Sequence, residues 1–139
     1  MFSNPLKKTT NIKLPSITIS SKELGDWSEN LACDWLMGHK LKLEESNFRR
    51  RYGEIDLIMK DQGCLVFVEV RYRKNTTFGS AEESVNQKKC QRLIATAENY
   101  LLINGYGINT NLRFDVVAIS PAKESDLHCT INWIKNILL

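Results

Sequence analysis

The stretch that decides the fold is Gly53–Lys74, GEIDLIMKDQGCLVFVEVRYRK. Its second half, LVFVEVRYR, is apolar on both alternating faces until Glu69. Successive strand residues point to opposite faces, so Val66, Val68, Val70 and Tyr72 share one, and Leu65, Phe67, Glu69, Arg71 and Arg73 the other. A strand apolar on both faces belongs in the middle of a covered sheet. An unpartnered carboxylate there costs on the order of several kcal/mol or takes up a proton. Glu69 therefore requires a cationic side chain, a metal ion or a place at the open end of the sheet.

The first half repeats the pattern. Glu54, Asp56 and Ile58 share one face, and Ile55, Leu57 and Met59 the other. Asp61-Gln62-Gly63 reads as a hairpin turn, which sets Asp56 opposite residue 68 or 69. Asp56 and Glu69 then approach each other across adjacent strands. Like charges so placed suit a divalent cation, since Mg²⁺ prefers carboxylate oxygens and keeps several waters. The same residues also permit a purely structural arrangement, with Asp56 or Glu69 paired to Arg71 or Arg73. Strand geometry alone leaves both open.

Working outward, Leu24, Trp27, Leu31, Trp35 and Leu36 recur at helical spacing. Ser20 or Ser21 caps that helix, Glu23 lies in its first turn and Gly38 stops it. Glu29 falls near the edge of the apolar arc. Strands are expected over 41–50, 53–60 and 64–73, with a tight Arg-Tyr-Gly turn joining the first two. A loop with Gly79 leads to a long helix over about 80–103, whose stripe is Val85, Leu93, Ala97, Tyr100 and Leu101. Two further strands are expected over 112–119 and 128–135. The order αβββαββ describes an α/β domain with a mixed central sheet of about five strands flanked by helices. The long passage through the second helix suits a parallel crossover. Residues 1–20, with Pro5 and Pro15, read as a flexible N-terminal extension able to pair locally as a strand, and residues 21–139 as a single domain.

The 139 residues are 42% hydrophobic and 25% charged, as in a single globular domain. No apolar run approaches the roughly 18–20 residues of a membrane span, and no signal-peptide core follows the first lysines. The expectation is a cytoplasmic protein with no membrane partner. Cys33, Cys64, Cys90 and Cys129 are scattered singly, as reduced thiols, and His39 and His128 are not spaced as zinc ligands. Net charge is only +3, but Arg49-Arg50-Arg51, Arg71-Tyr72-Arg73-Lys74 and Lys88-Lys89 with Arg92 form three basic clusters. Beside a carboxylate pair, they favour a polyanion such as nucleic acid over merely solvated faces. Tyr72, Phe78 and Tyr100 are candidates for stacking on bases, with core packing the stronger reading for Tyr100. Asp115, beside Arg113 on a core strand, reads as a structural ion pair.

Asp56 and, thirteen positions later, Glu69-Val70-Arg71 resemble the PD-(D/E)xK nuclease pattern. More closely, GEIDLI, LVFVEVRYR, FGSAEESVNQKK, RLIATAENYL and RFDVVAI in that order resemble the bacterial YraN family of predicted endonucleases, related to archaeal Holliday-junction resolvases. The resemblance spans about Gly25 to Trp133. It implies a restriction-endonuclease-like three-layer fold and metal-dependent cleavage of DNA, branched or damaged structures included. It implies Mg²⁺, replaceable by Mn²⁺, held by Asp56, Glu69 and the Val70 carbonyl, with Glu29 completing that site or forming a second. Glu54 is either a supporting partner of these groups or simply the residue after the turn glycine. Arg49, Arg50, Arg51, Arg73, Lys74 and Lys88 would meet nucleic acid, and resolvase-like relatives suggest a homodimer.

One departure stands out. Arg71 occupies the place of the pattern's lysine. A guanidinium does not give up its proton in proteins, so Arg71 cannot deprotonate water. It can neutralise charge on a phosphate and offer two-point contact. Lys88 is the alternative cation. The competing functions are a nucleic-acid-binding module that has lost cleavage and an interaction scaffold whose carboxylates serve only ion pairs.

Overall fold

The computed structural model describes residues 6–16, 18–74, 87–123 and 125–137. Its elements run β1 (Leu6–Lys13), α1 (Ser21–Gly38), β2 (Lys42–Arg50), β3 (Gly53–Asp61), β4 (Cys64–Tyr72), α2 (Gln87–Ile103), β5 (Leu112–Ala122) and β6 (Ser125–Ile134). The strands form one six-stranded sheet in the order β1-β6-β5-β4-β3-β2. Only β4 and β5 pair in parallel; the other neighbours are antiparallel. The expected crossover is thus present, and β4 lies inside the sheet with strands on both sides.

The sheet has six strands rather than about five. The additional one is β1, from the stretch read as an N-terminal extension. It is exposed along almost its whole length, so no apolar alternation announces it. Pairing with β6 holds it, together with the Thr10 hydroxyl, which donates to the Cys129 carbonyl at 2.9 Å. Its three lysines suit an outer edge, where charge discourages further pairing. The last two strands also run further than their apolar cores suggest. β5 continues through Pro121, and the pairing shifts register between Pro121 and Ala122, where a residue without an N–H is tolerated.

Ser20 caps α1 in a reciprocal capping box with Glu23. The buried line of the helix is Ser28, Ala32 and Leu36, flanked by half-buried Trp27, Leu31 and Trp35. Gly38 is the last helical residue rather than the stop, and the chain leaves at Lys40, whose φ is 73°. α1 packs with Leu57, Met59, Val66 and Val68 on one face of the sheet. Leu93, Ala97 and Tyr100 of α2 pack with Phe48, Ile58, Leu65 and Phe67 on the other. The two helices therefore cover opposite faces. The part of the second helix expected before Gln87, with Phe78, Gly79 and Val85, lies outside the described residues. No helix among the described residues is long and apolar enough to cross a membrane.

The hairpin reads as expected. Asp61 pairs with Cys64 around Gln62 and Gly63, whose φ values of 50° and 87° define the two-residue turn that matches strand twist. Its register continues to Leu57 opposite Val68, and the ladder stops there. Beyond that point strict alternation fails, for Ile55 packs in the α2 cluster rather than with Leu57 and Met59.

Candidate functional site

The next residues after the last paired rung are Asp56 and Glu69. The Val70 N–H donates to Asp56 Oδ2 at 2.8 Å, so the carboxylate side chain takes a backbone donor just where the ladder ends. Burial raises the Asp56 pKa from 3.8 to about 7, Glu69 adds repulsion, and Glu29 and Glu54 add less; the Val70 N–H opposes the rise. Glu69 is only 13% exposed and lies 2.8 Å from Lys89 Nζ. Arg71, 10% exposed, is a more distant partner at 3.9 Å.

Glu29, on the rim of α1, joins this group through β2. The Asn47 side-chain amide, turned to donate, lies 2.8 Å from Glu29 Oε1 and 3.1 Å from Glu54 Oε1. Asn47 has φ 53°, a left-handed conformation that asparagine tolerates better than most residues. Burial and the nearby Glu54 raise the Glu29 pKa, while the bond from Asn47 opposes the rise. Arg49 pairs with Glu54 at 3.2 Å. Glu54 is thus bridged to Glu29 through Asn47 and paired with Arg49.

A cavity of about 490 Å³ opens over these groups, lined by Glu54, Asp56 and Glu69 from the sheet and Lys88, Lys89 and Arg92 from α2, with Gly53 and Leu93. Gly53 sets the distance between turn and helix. A Cβ there would lie 3.2 Å from Thr96 Oγ1 and 3.7 Å from Arg92 Cβ. Beside this cavity is a second groove of about 580 Å³, with Arg50, Arg51 and Tyr52 on one wall and Lys88, Gln91 and Arg92 on the other.

The structure brings Asp56, Glu69, Arg71, Val70 and Glu29 together at one end of the hairpin. Val70 enters through its N–H. Of the basic residues expected at the surface, Arg50, Arg51 and Lys88 line the second groove, Arg49 is engaged by Glu54, and Arg73 and Lys74 are exposed beyond β4, lining neither cavity. Lys89, not Lys88, reaches the carboxylate. It lies one turn before Leu93 on the apolar stripe, and that phase was the signal available in the sequence. Asn47 had no such signal, because β2 is exposed except at Phe48. Tyr100 is core, edge-on to Phe48 and Phe67, and Tyr72 packs against the α1 cluster. Asp115 is 1% exposed, bonded by Arg113, the Trp133 indole N–H and the Asn136 N–H. It is a satisfied structural carboxylate. The four cysteines are free thiols.

Among the described residues, no three His, Cys, Asp or Glu side chains converge as a ready-made metal cage. Mg²⁺ does not need one, since one or two carboxylates, waters and phosphate oxygens are its usual shell. A hard oxygen pair with one member driven to about 7 by burial and a neighbouring carboxylate fits such an ion.

These features define a class: an α/β domain with a carboxylate pair at the end of a central hairpin, beside a cationic groove. The chain belongs to the family described as Uncharacterised protein family UPF0102, whose model matches residues 28–119. That span runs from Ser28, beside Glu29, through Arg92 to the middle of β5, and so includes both cavities. The chain is 44% identical over 115 residues to the UPF0102 protein of Nitrosococcus oceani, covering 83% of this chain and 90% of the relative. It is 46% identical over 120 residues to a UPF0102 protein of Vibrio vulnificus, covering 86% and 94%. A UPF0102 protein of Photobacterium profundum is 42% identical over 124 residues, covering 88% and 95%. The family resemblance drawn from the sequence is upheld at this level.

Proposed function

We propose that this chain is a metal-dependent endonuclease of the PD-(D/E)xK, restriction-endonuclease-like class, hydrolysing phosphodiester bonds in DNA. The observation that carries this reading is the Asp56–Glu69 pair, set side by side where the β3–β4 ladder ends, with Asp56 raised to about 7, inside a cation-lined cavity. Asp56 and Glu69, with the Val70 carbonyl, would hold Mg²⁺ or Mn²⁺, and Glu29 would support the same site through Asn47 and Glu54. Bound there, the ion supplies Lewis acidity towards a phosphodiester oxygen and lowers the pKa of water. The Val70 N–H orients Asp56, and Lys89 and Arg71 balance the charge of Glu69. Lys89 is then placed to meet charge building on the phosphate, as Arg71 is from the strand. Arg71 does not take a proton.

A second reading draws on the Lys89–Glu69 contact of 2.8 Å. If that pair is permanent, the domain binds nucleic acid without cutting it. The test is a panel of single strands, duplexes, flaps, four-way junctions and RNA with Mg²⁺ or Mn²⁺, comparing wild type with Glu69→Gln. Cutting by wild type alone supports the nuclease. Salt-sensitive binding with no cutting by either supports the binding module. Cytoplasmic location and a homodimer accompany the nuclease reading as proposals.

A further inference from the structure

The second groove differs in charge from the carboxylate cavity. Among the described residues no acidic side chain lines it, and Arg50, Arg51, Lys88 and Arg92 do. It shares Gly53, Lys88 and Arg92 with the carboxylate cavity, so the two lie side by side. The Arg50 guanidinium is held over the Phe48 ring at 4.3 Å and donates to the Arg49 carbonyl at 2.7 Å. A guanidinium held in this way loses less freedom when it meets a phosphate. Between these cations, at the tip of the two-residue turn, stands Tyr52, 53% exposed and absent from both core clusters. An aromatic ring kept out of the core on a tight turn, beside a cationic groove, is an arrangement that accepts a stacked base. The turn lies close against α2, since a Cβ on Gly53 would come within 3.2 Å of Thr96 Oγ1.

We infer that the Arg50–Gly53 turn and the facing side of α2 form a track for an unpaired nucleic-acid strand, with one base stacked on Tyr52 and its phosphates led towards Asp56 and Glu69. This rests on the nucleic-acid reading of the site and narrows it to substrates with a single-stranded portion. In a duplex every base is already stacked between its neighbours, so only phosphates would meet the groove and the ring would add little.

The test uses one fluorescein-labelled DNA oligonucleotide, single-stranded or annealed to its complement, in EDTA so that nothing is cut. Anisotropy titrations compare wild type, Tyr52→Ala and Tyr52→Phe. Wild type is expected to favour the single strand. Tyr52→Ala should weaken single-strand binding by about tenfold, within what one base–aromatic stack supplies, with duplex binding little changed and Tyr52→Phe close to wild type. Unchanged single-strand affinity in Tyr52→Ala, or equal loss on both probes, overturns the inference. If that happens while Glu69-dependent cleavage persists, the nuclease reading stands without it. Absence of salt-sensitive binding to either probe removes both.

Discussion

Replacing Asp56 with asparagine should make the metal-free protein more stable, although it removes a charged group that accepts a hydrogen bond. The asparagine Oδ1 can still accept the Val70 N–H now held at 2.8 Å, and its amide can donate towards Glu69. What disappears is a buried negative charge beside another. With its pKa raised from 3.8 to about 7, the folded state holds the Asp56 proton over a range in which the unfolded chain has released it. Stability therefore falls as pH rises through that window and is lowest above it. At about 1.4 kcal/mol per pKa unit the full penalty is about 4 kcal/mol, and solvent at the cavity mouth lowers it to roughly 2–4 kcal/mol. The assay is urea unfolding in EDTA, followed by tryptophan fluorescence, for wild type and Asp56→Asn. The variant's advantage should grow by about 2–3 kcal/mol between about pH 4.5 and about pH 8. Mg²⁺ should then stabilise wild type and leave the variant unchanged. A variant less stable than wild type at the higher pH, or a difference that ignores pH, would refute the reasoning and make Asp56 an ordinary ion-pair partner.

Lys89→Met should leave Mg²⁺ affinity intact or tighten it, since the ammonium 2.8 Å from Glu69 competes with the ion. Single-turnover cleavage should nevertheless fall by about 10²-fold; undiminished cleavage would remove Lys89 from the mechanism. Gly53→Ala should cost about 1–3 kcal/mol, because its Cβ would meet Thr96 Oγ1 at 3.2 Å. Thr96→Ala should recover part of that loss in a double-mutant cycle by thermal unfolding, and additive effects would contradict the contact. Asp115→Ala should destabilise by about 3–5 kcal/mol, leaving Arg113 and the Trp133 N–H without this acceptor. Calorimetry with and without Mg²⁺ should show the same loss, and a metal-dependent loss would move Asp115 into the site.

The parts of this architecture that bury apolar surface were legible in the chain. The hairpin register follows from a turn whose chemistry is local, and α1 from a spacing repeated over four turns. The α2 stripe at Leu93, Ala97 and Tyr100 is equally plain. The carboxylate pair was legible for the same reason, as a polar exception on an otherwise apolar strand. What escaped is what does not depend on burial. β1 is exposed and held by pairing, so its lysines and threonines carry no periodic signal. β5 runs past its apolar core through Pro121, with a register shift just after it. Asn47 lies on an exposed edge strand, and its bond to Glu29 depends on α1 crossing near β2, a tertiary fact. Lys88 and Lys89 are a single helical step apart, and only the phase set by Leu93 separates a solvent-facing ammonium from one beside Glu69. Tyr52 looked like part of a turn, because its exposure has no trace in a three-residue motif.

The most direct test of the central claim is Mn²⁺ binding, followed by electron paramagnetic resonance in titrations of wild type, Asp56→Asn and Glu69→Gln. Wild type should take up Mn²⁺ at a carboxylate site, more tightly when an uncleaved oligonucleotide contributes phosphate oxygens, and both variants should lose that uptake while remaining folded. Equal Mn²⁺ binding by all three proteins, or none by wild type with nucleic acid present, would contradict the account and leave Asp56 and Glu69 as structural carboxylates.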